Sequence, residues 1–209
     1  MTDIQEKVKE IKQSFRLMMD GATAQSMRQK GLDYKLNWGA TLPRLREMAE
    51  ELKKETPNLY DLALALWKED VRECKILATM LMPPDEILPE VVDIWMEQTP
   101  TVEIAEQAAF NLYQHLPYAA DKAYGWLSSA DDLPQICGYH VLSRLFSRRQ
   151  EPNERGINEF VDQALSALQS TNPILQKAAM QSLLHFADMG LLYERLVRSA
   201  TRSIGIDIL

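Results

Sequence analysis

Apolar residues recur at intervals of three and four along most of this chain, the spacing that places side chains on one face of an α-helix. The pattern is densest at residues 61–82, where it predicts two short antiparallel helices joined by the charged turn Lys68-Glu69-Asp70. Trp67 closes the first helix, and an apolar stripe runs along the second. Neither helix can bury its apolar face alone, so the pair needs neighbouring helices. The stripe consists of Val71, Cys74, Ile76, Leu77, Met80 and Leu81.

Three more helical pairs repeat this plan, at residues 88–116, 119–146 and 157–189. The residues that close the first helix of each pair lie 28, 31 and 42 positions apart, and each second helix has small residues in its middle. This period predicts an all-α fold, an α-α superhelix (solenoid) of HEAT-like or ARM-type helical repeats. A non-repetitive helical bundle with tryptophans in its core is the alternative. The closing residues are Trp67, Trp95, Trp126 and Leu168.

Shorter segments flank these pairs. Residues 3–20 are predicted to form a first helix and residues 22–30 another helical turn, and a loop follows up to Gly39. Thr41 is an expected N-cap, with Pro43 just inside the next helix, where its missing N–H costs nothing. We therefore expect a single domain over residues 1–209. Its parts are N-terminal helices at 1–57, four helical pairs at 58–188, and a C-terminal helix with an apolar tail at 189–209.

Composition narrows the class of protein. Apolar residues make up 46% of the chain and charged residues 25%, as in ordinary globular proteins. No apolar run reaches the length of a membrane span, and the charged N-terminus lacks the apolar stretch of a signal peptide. We therefore expect a cytoplasmic protein with no membrane partner.

Cys74 and Cys137 each lie in an apolar helical pattern, which favours buried free thiols over a disulfide or metal ligands.

Three stretches together resemble one known family. A loop and helix carry Gly39, Pro43, Arg46 and Ala49; the stretch at 61–82 carries Leu66, Trp67, Arg72 and Glu73; and a late helix carries Gln176, Lys177 and Ala178. In their order and spacing, residues 34–190 resemble the HEAT-like-repeat DNA alkylation repair family, the AlkD-type alkylpurine DNA glycosylases.

The resemblance implies a concave groove that embraces duplex DNA and is lined by the second helix of each pair. Family enzymes excise N3- or N7-alkylated purines with a carboxylate near the sugar of the cationic nucleotide and aromatic side chains beside it. Because an alkylated purine is already a positively charged leaving group, the enzyme mainly stabilises an oxocarbenium-like sugar and positions a water molecule. The resemblance therefore implies neither a metal nor another cofactor.

Carried over by position, the catalytic aspartate of the family falls on Glu106, with Glu103 one turn earlier. The preceding tryptophan falls on Val102, the groove arginine near Ile136 and a later aromatic on Gln181, so only the carboxylate is kept. That carboxylate is longer by a methylene, and a displacement of about 1 Å can cost ~100-fold in rate. The pattern indicates a diverged relative. Acids favoured by the helix dipole are the alternative interpretation of Glu103 and Glu106.

Basic residues on the later helices are candidate DNA contacts, because phosphate contacts position a protein on DNA without reading its sequence. A solvated helix face is the alternative. Arg195, Arg198 and Arg202 have the spacing of one helix face. The other candidates are Arg144, Arg148 and Arg149 at the end of one helix and Lys177 on a predicted groove helix.

Three polar or aromatic residues are candidates to line the groove: Tyr139, His140 and Gln181. A buried helix face explains Tyr139 and His140 equally well. The three histidines lie in different helices without metal-ligand spacing, so no metal site is predicted.

The sequence supports two alternative hypotheses for the function of this protein. The first is a DNA alkylation repair-like protein that binds duplex DNA and excises alkylpurines weakly through Glu106, or has lost that activity. The second is a non-enzymatic scaffold that binds a protein or peptide partner. The net charge of −7 and the pI of about 5.1 favour the scaffold, since indiscriminate nucleic-acid binding normally requires a basic excess.

Overall fold

A computed structural model describes residues 2–209, and within them the chain is helical, as predicted. Two 3-10 turns, Arg16–Met18 and Tyr113–His115, supplement the α-helices. The α-helices are α1 (Thr2–Phe15), α2 (Gly21–Gln29), α3 (Leu42–Glu55), α4 (Leu59–Trp67), α5 (Arg72–Leu81), α6 (Pro89–Glu97), α7 (Val102–Asn111), α8 (Ala119–Leu127), α9 (Asp132–Ser147), α10 (Glu154–Leu168), α11 (Pro173–Ala187) and α12 (Leu191–Ser203).

The four predicted helical pairs are present as α4–α5, α6–α7, α8–α9 and α10–α11. Two boundaries differ from the prediction. The first helix ends at Phe15, and α2 begins directly after Asp20, whose carboxylate accepts the backbone N–H of Thr23 at 3.0 Å as an N-cap. Helix α7 stops at Asn111 because Leu112 leaves the helical conformation and a 3-10 turn follows.

The chain divides into two compact units, Met1–Leu112 and Tyr113–Leu209. The single domain expected from the sequence stays a prediction. Among the described residues, none of the helices combines the length and the apolar character needed to cross a membrane.

Helix α5 lies at the centre of the first unit. It packs against α3, α4 and α7, and almost every one of its side chains is buried. A helix with no exposed face has nothing to present to a ligand, so the implied role of every second helix in lining a groove does not hold for α5.

The periodic tryptophans of the first unit contact one another. The rings of Trp67 and Trp95 are stacked, with centroids 4.2 Å apart and planes 4° apart. The indole N–H of Trp67 donates to Gln98 at 3.0 Å, and the ammonium of Lys75 lies 4.6 Å from a Trp67 ring centroid. The repeat seen in the sequence therefore places equivalent residues of consecutive helical pairs in direct contact.

In the second unit, α9 packs against both α8 and α11. A Cβ added at Gly138 would lie 2.8 Å from the carbonyl oxygen of Ala123, so the small residue in α9 allows the predicted close approach to α8. An aromatic core fills the space among α9, α10, α11 and α12. Its rings are those of Tyr139, Phe146, Phe160, Phe186 and Tyr193.

The substitution Trp95→Ala should lower the free energy of unfolding by about 3–5 kcal/mol, because it removes a buried ring and leaves a cavity beside Trp67. Urea denaturation followed by far-UV circular dichroism measures the loss. Ile94→Ala is the control in the same helix, since Ile94 is 48% exposed, and it should change stability by about 0.5 kcal/mol or less. Equal losses in the two variants would contradict the role of the stack.

Candidate nucleic-acid interface

The first turn of α7 holds one of the two predicted catalytic acids in an ion pair. Both oxygens of Glu103 accept hydrogen bonds from Arg72, at 2.6 Å from Nη2 and 2.9 Å from Nε, and the hydroxyl of Tyr34 also donates to Glu103. Glu103 is therefore not a solvated surface acid, as the alternative interpretation held. Three hydrogen bonds direct this carboxylate to Arg72 and Tyr34, so its role in the structure is to compensate the buried arginine.

Arg72 and its neighbour Glu73 extend this network to the loop before α3. Arg72 Nη1 donates to the carbonyl oxygen of Ala40 at 2.9 Å, and Glu73 accepts the backbone N–H groups of Trp38 and Ala40 at 3.1 and 3.2 Å. Both charged side chains are almost completely buried. In the sequence, Arg72 and Glu73 were noticed only through the family resemblance. Their structural role could have been recognised from another feature, because they are two adjacent charged residues at the start of a largely apolar helix.

The pKa values in this network follow from burial and pairing. Burial alone would raise the pKa of Glu103, but the hydrogen bonds and charge of Arg72 outweigh it and lower that pKa. Burial likewise opposes the charge of Arg72, and Glu103 outweighs it and raises the arginine pKa. Burial and the hydrogen bond to Glu103 raise the pKa of Tyr34, which keeps the phenol protonated as a donor.

The other predicted acid, Glu106, is exposed on α7. Phe110 follows it by one turn on the same helix face and is 39% exposed. The guanidinium of Arg46, from α3, lies 5.7 Å from the centroid of the Phe110 ring. A carboxylate, an aromatic ring and a guanidinium therefore occur together here. The sequence reasoning missed Phe110 because it lies one turn after the carboxylate and not at a position carried over from the family.

In the second unit, two helices present adjacent polar stripes that we name the α9–α11 face. His140 and Arg144 lie one turn apart on α9, and Lys177 and Gln181 lie one turn apart on α11. The hydroxyl of Ser143 and Nδ1 of His185, 2.6 Å apart, join the two stripes. Arg144, Lys177 and Gln181 are exposed and His140 is half-buried. The structure thus brings together four of the predicted site residues of this unit.

Tyr139 is the exception among the predicted groove residues. It is fully buried, with its ring 6.4 Å from that of Phe160 in the aromatic core. Its prediction as a groove-lining residue is wrong, because position 139 faces the core while position 140 faces outward. Cys74 and Cys137 are buried and not joined in a disulfide, as predicted, and burial raises the pKa of Cys74 to about 12.

The other predicted arginines are distributed over two places. Arg148 and Arg149 are exposed just beyond the end of α9, and their guanidinium groups donate to the carbonyl oxygens of Gln114 and Met189. Carbonyl oxygens do not neutralise their charge. On α12, Arg198 is paired with Glu194 at 2.8 Å, while Arg195 and Arg202 are exposed.

No group of three or more His, Cys, Asp or Glu side chains that could hold a metal ion occurs within residues 2–209.

The family model described as DNA alkylation repair enzyme matches residues 11–204, which is most of the chain. The chain belongs to the DNA alkylation repair enzyme family. The resemblance seen in three sequence stretches is thereby confirmed.

A solved structure shares the fold of this DNA alkylation repair family member. It is described as "A new family of proteins related to the HEAT-like repeat DNA glycosylases with affinity for branched DNA structures". The TM-score is 0.82 at 16% sequence identity, over 95% of this chain and 83% of that chain. The predicted HEAT-like repeat fold is confirmed. Among curated proteins, no sequence matches this family member significantly.

The substitution Glu103→Gln should lower the free energy of unfolding at pH 7 by about 1.5–3 kcal/mol, because the buried Arg72 would lose the carboxylate that accepts two of its hydrogen bonds and keep only Glu73 as a charged partner. Since folding lowers the pKa of Glu103, its stabilisation is present above the ordinary carboxyl pKa and is lost as pH falls through the folded-state pKa. The difference between wild type and variant should therefore shrink below about pH 4. Denaturant titrations from pH 3 to pH 7 measure it.

Glu47→Gln, at an exposed position of α3, is the matched control and should change stability by about 0.5 kcal/mol or less at every pH. A Glu103→Gln difference that stays constant down to pH 3 would rule out the ion pair as its origin.

Proposed function

We propose that this protein binds duplex DNA through the α9–α11 face, with Arg144 and Lys177 as contacts to the phosphate backbone. The observation that carries the proposal is the contact of Ser143 with His185, which joins α9 to α11, because Arg144 and Lys177 are exposed on these two helices within one and three turns of that contact. Membership in the DNA alkylation repair family supports it. The affinity for branched DNA described for the structural neighbour is consistent with it.

The chemistry of this face suits backbone contacts. Cations that neutralise phosphates release condensed counterions, which makes binding strongly dependent on salt. Gln181 and His140 add hydrogen-bonding groups beside the cations, and such contacts orient a protein on the duplex without specifying sequence. Arg148 and Arg149, which retain their charge, extend the positive surface beyond the end of α9. The net charge of −7 on the whole chain would weaken non-specific binding elsewhere.

We propose excision of N3- or N7-alkylated purines as a second activity, supported by the cluster of Glu106, Phe110 and Arg46. The carboxylate of Glu106 would stabilise positive charge that develops on the sugar as the C1′–N bond breaks. The bond electrons would leave with the purine and neutralise it, a water oxygen would bond to C1′, and the water would release a proton. The ring of Phe110, which is 39% exposed, would lie beside the cationic base, and a cation–π contact of this kind is worth ~0.5–2 kcal/mol.

The double substitution Arg144→Ala/Lys177→Ala should weaken duplex binding by about tenfold or more and reduce the salt slope by about 2, because each phosphate contact contributes ~0.9. Fluorescence anisotropy with a labelled 20-base-pair duplex and a four-way junction, from 50 to 200 mM salt, measures both values. Arg155→Ala, exposed on α10, is the control for loss of charge.

Unchanged affinity and slope in the double variant would overturn this assignment of the DNA-binding face. Absence of binding by the wild type at low salt would overturn the DNA function itself and leave the protein-binding scaffold.

The substitution Glu106→Gln should reduce release of N7-methylguanine from methylated duplex by about 100-fold or more, the loss typical when one electrostatic stabiliser of a transition state is removed. Single-turnover release measured by chromatography tests this, with DNA affinity measured in parallel. The Glu47→Gln variant should release as much base as wild type. Equal release by wild type and Glu106→Gln would refute the catalytic assignment without affecting the binding proposal.

A further inference from the structure

An open cavity of about 400 Å³ lies in the first unit, away from the cluster of Glu106 and Phe110. Helix α1 and its 3-10 extension form one wall of the cavity, and the loop before α3 forms another. Glu69, which lies in the turn after α4, also lines the cavity. Pockets of about 300–1,000 Å³ are typical for small ligands. The residues that characterise the cavity are Lys9, Lys12, Arg16, Leu36, Trp38 and Glu69.

Positive charge dominates this cavity. Lys9, Lys12 and Arg16 are spaced by three and four positions, so they share one side of the helical segment. Lys12 is already paired with Glu69. Lys9 and Arg16 are both exposed, which leaves two cations directed to a ligand or solvent. A phosphate group is the ligand that this charge pattern favours.

The opposite wall is aromatic and held rigidly. Glu73 binds the backbone N–H of Trp38, and the backbone N–H of Arg72 donates to the carbonyl oxygen of Leu36 at 3.0 Å, in a parallel bridge of Leu36 with Val71. The indole Nε1 of Trp38 is buried and has no hydrogen-bond partner among the described residues. The ring therefore lines the cavity while its polar edge is turned into the protein, so the contact it can offer a ligand is through its aromatic surface.

We infer that this cavity binds a nucleotide unit of single-stranded nucleic acid, with the phosphate on Lys9 and Arg16 and the base against Trp38. Proteins that bind single strands combine backbone-directed cations with aromatic rings on which bases stack. A base within a duplex is already stacked and paired, so a recessed site with one ring selects an unpaired nucleotide. The inference uses residues distinct from those of the proposed duplex contact and goes beyond it.

Tryptophan fluorescence of the full chain tests the site, because Trp67, Trp95 and Trp126 are buried and Trp38 is half-buried. The probes are (dT)8, thymidine monophosphate and inorganic phosphate. We expect (dT)8 to quench the fluorescence saturably and Trp38→Phe to abolish that quenching. Tighter binding of (dT)8 than of thymidine monophosphate supports a strand as the source of the nucleotide, and equal binding of the two would overturn the strand in favour of a free nucleotide.

The double substitution Lys9→Ala/Arg16→Ala should weaken (dT)8 binding by about tenfold or more and reduce the salt slope by about 1.4, since each contact to a single strand contributes ~0.7. Both residues are exposed, so the variant should retain the fold, which circular dichroism checks. Lys54→Ala, exposed at the end of α3, should bind as wild type does.

The same two double variants separate this site from the duplex contact. Lys9→Ala/Arg16→Ala should keep its affinity for duplex, and Arg144→Ala/Lys177→Ala should keep its quenching by (dT)8. Absence of quenching, quenching that survives in Trp38→Phe, or inorganic phosphate binding as tightly as (dT)8 would each overturn the nucleotide site, whatever the outcome for duplex binding.

Discussion

A buried network of charges ties the first unit together. Arg72 and Glu73 lie almost without solvent contact, and a buried charge is tolerated only when it is paired and hydrogen-bonded. The partners that meet this requirement come from separate segments: Glu103 from the start of α7, and the backbone of Trp38 and Ala40 from the loop before α3. The need to compensate two charges on α5 therefore sets the positions of the loop and α7.

Both candidate sites of the first unit depend on this network. The hydrogen bond from the backbone N–H of Trp38 to Glu73 fixes the loop before α3, and this places Trp38 at the wall of the cationic cavity. The network's hydrogen bonds to Glu103 fix the position of the start of α7, and Glu106 and Phe110 are exposed further along that helix. One of the two neighbouring acids is thus used to maintain the structure, and the other lies exposed on the same helix. Arg72 and Glu73 have almost no exposed surface, so they can act on function only by positioning other residues.

The second unit is built by a different means. An aromatic core holds its last four helices together, and Tyr139 belongs to that core. Polar contacts lie at its surface, where Ser143 and His185 join the stripes of α9 and α11. Each stripe carries an exposed cation, Arg144 on α9 and Lys177 on α11, although the chain as a whole is acidic. A local concentration of cations is what an acidic protein would need in order to contact a phosphate backbone.

The sequence by itself determined the helices, their pairing and the family, because apolar periodicity and motif spacing are local properties of the chain. It also singled out Glu106, Arg144 and Lys177 as candidate site residues, and the structure shows that all three are exposed. Only the tertiary structure decided that Glu103 is bound by Arg72, that Tyr139 is core and that Trp38 faces a cationic cavity. Each of these depends on residues 20 or more positions apart or on which side of a helix its neighbours cover, and helical periodicity carries no information about long-range partners.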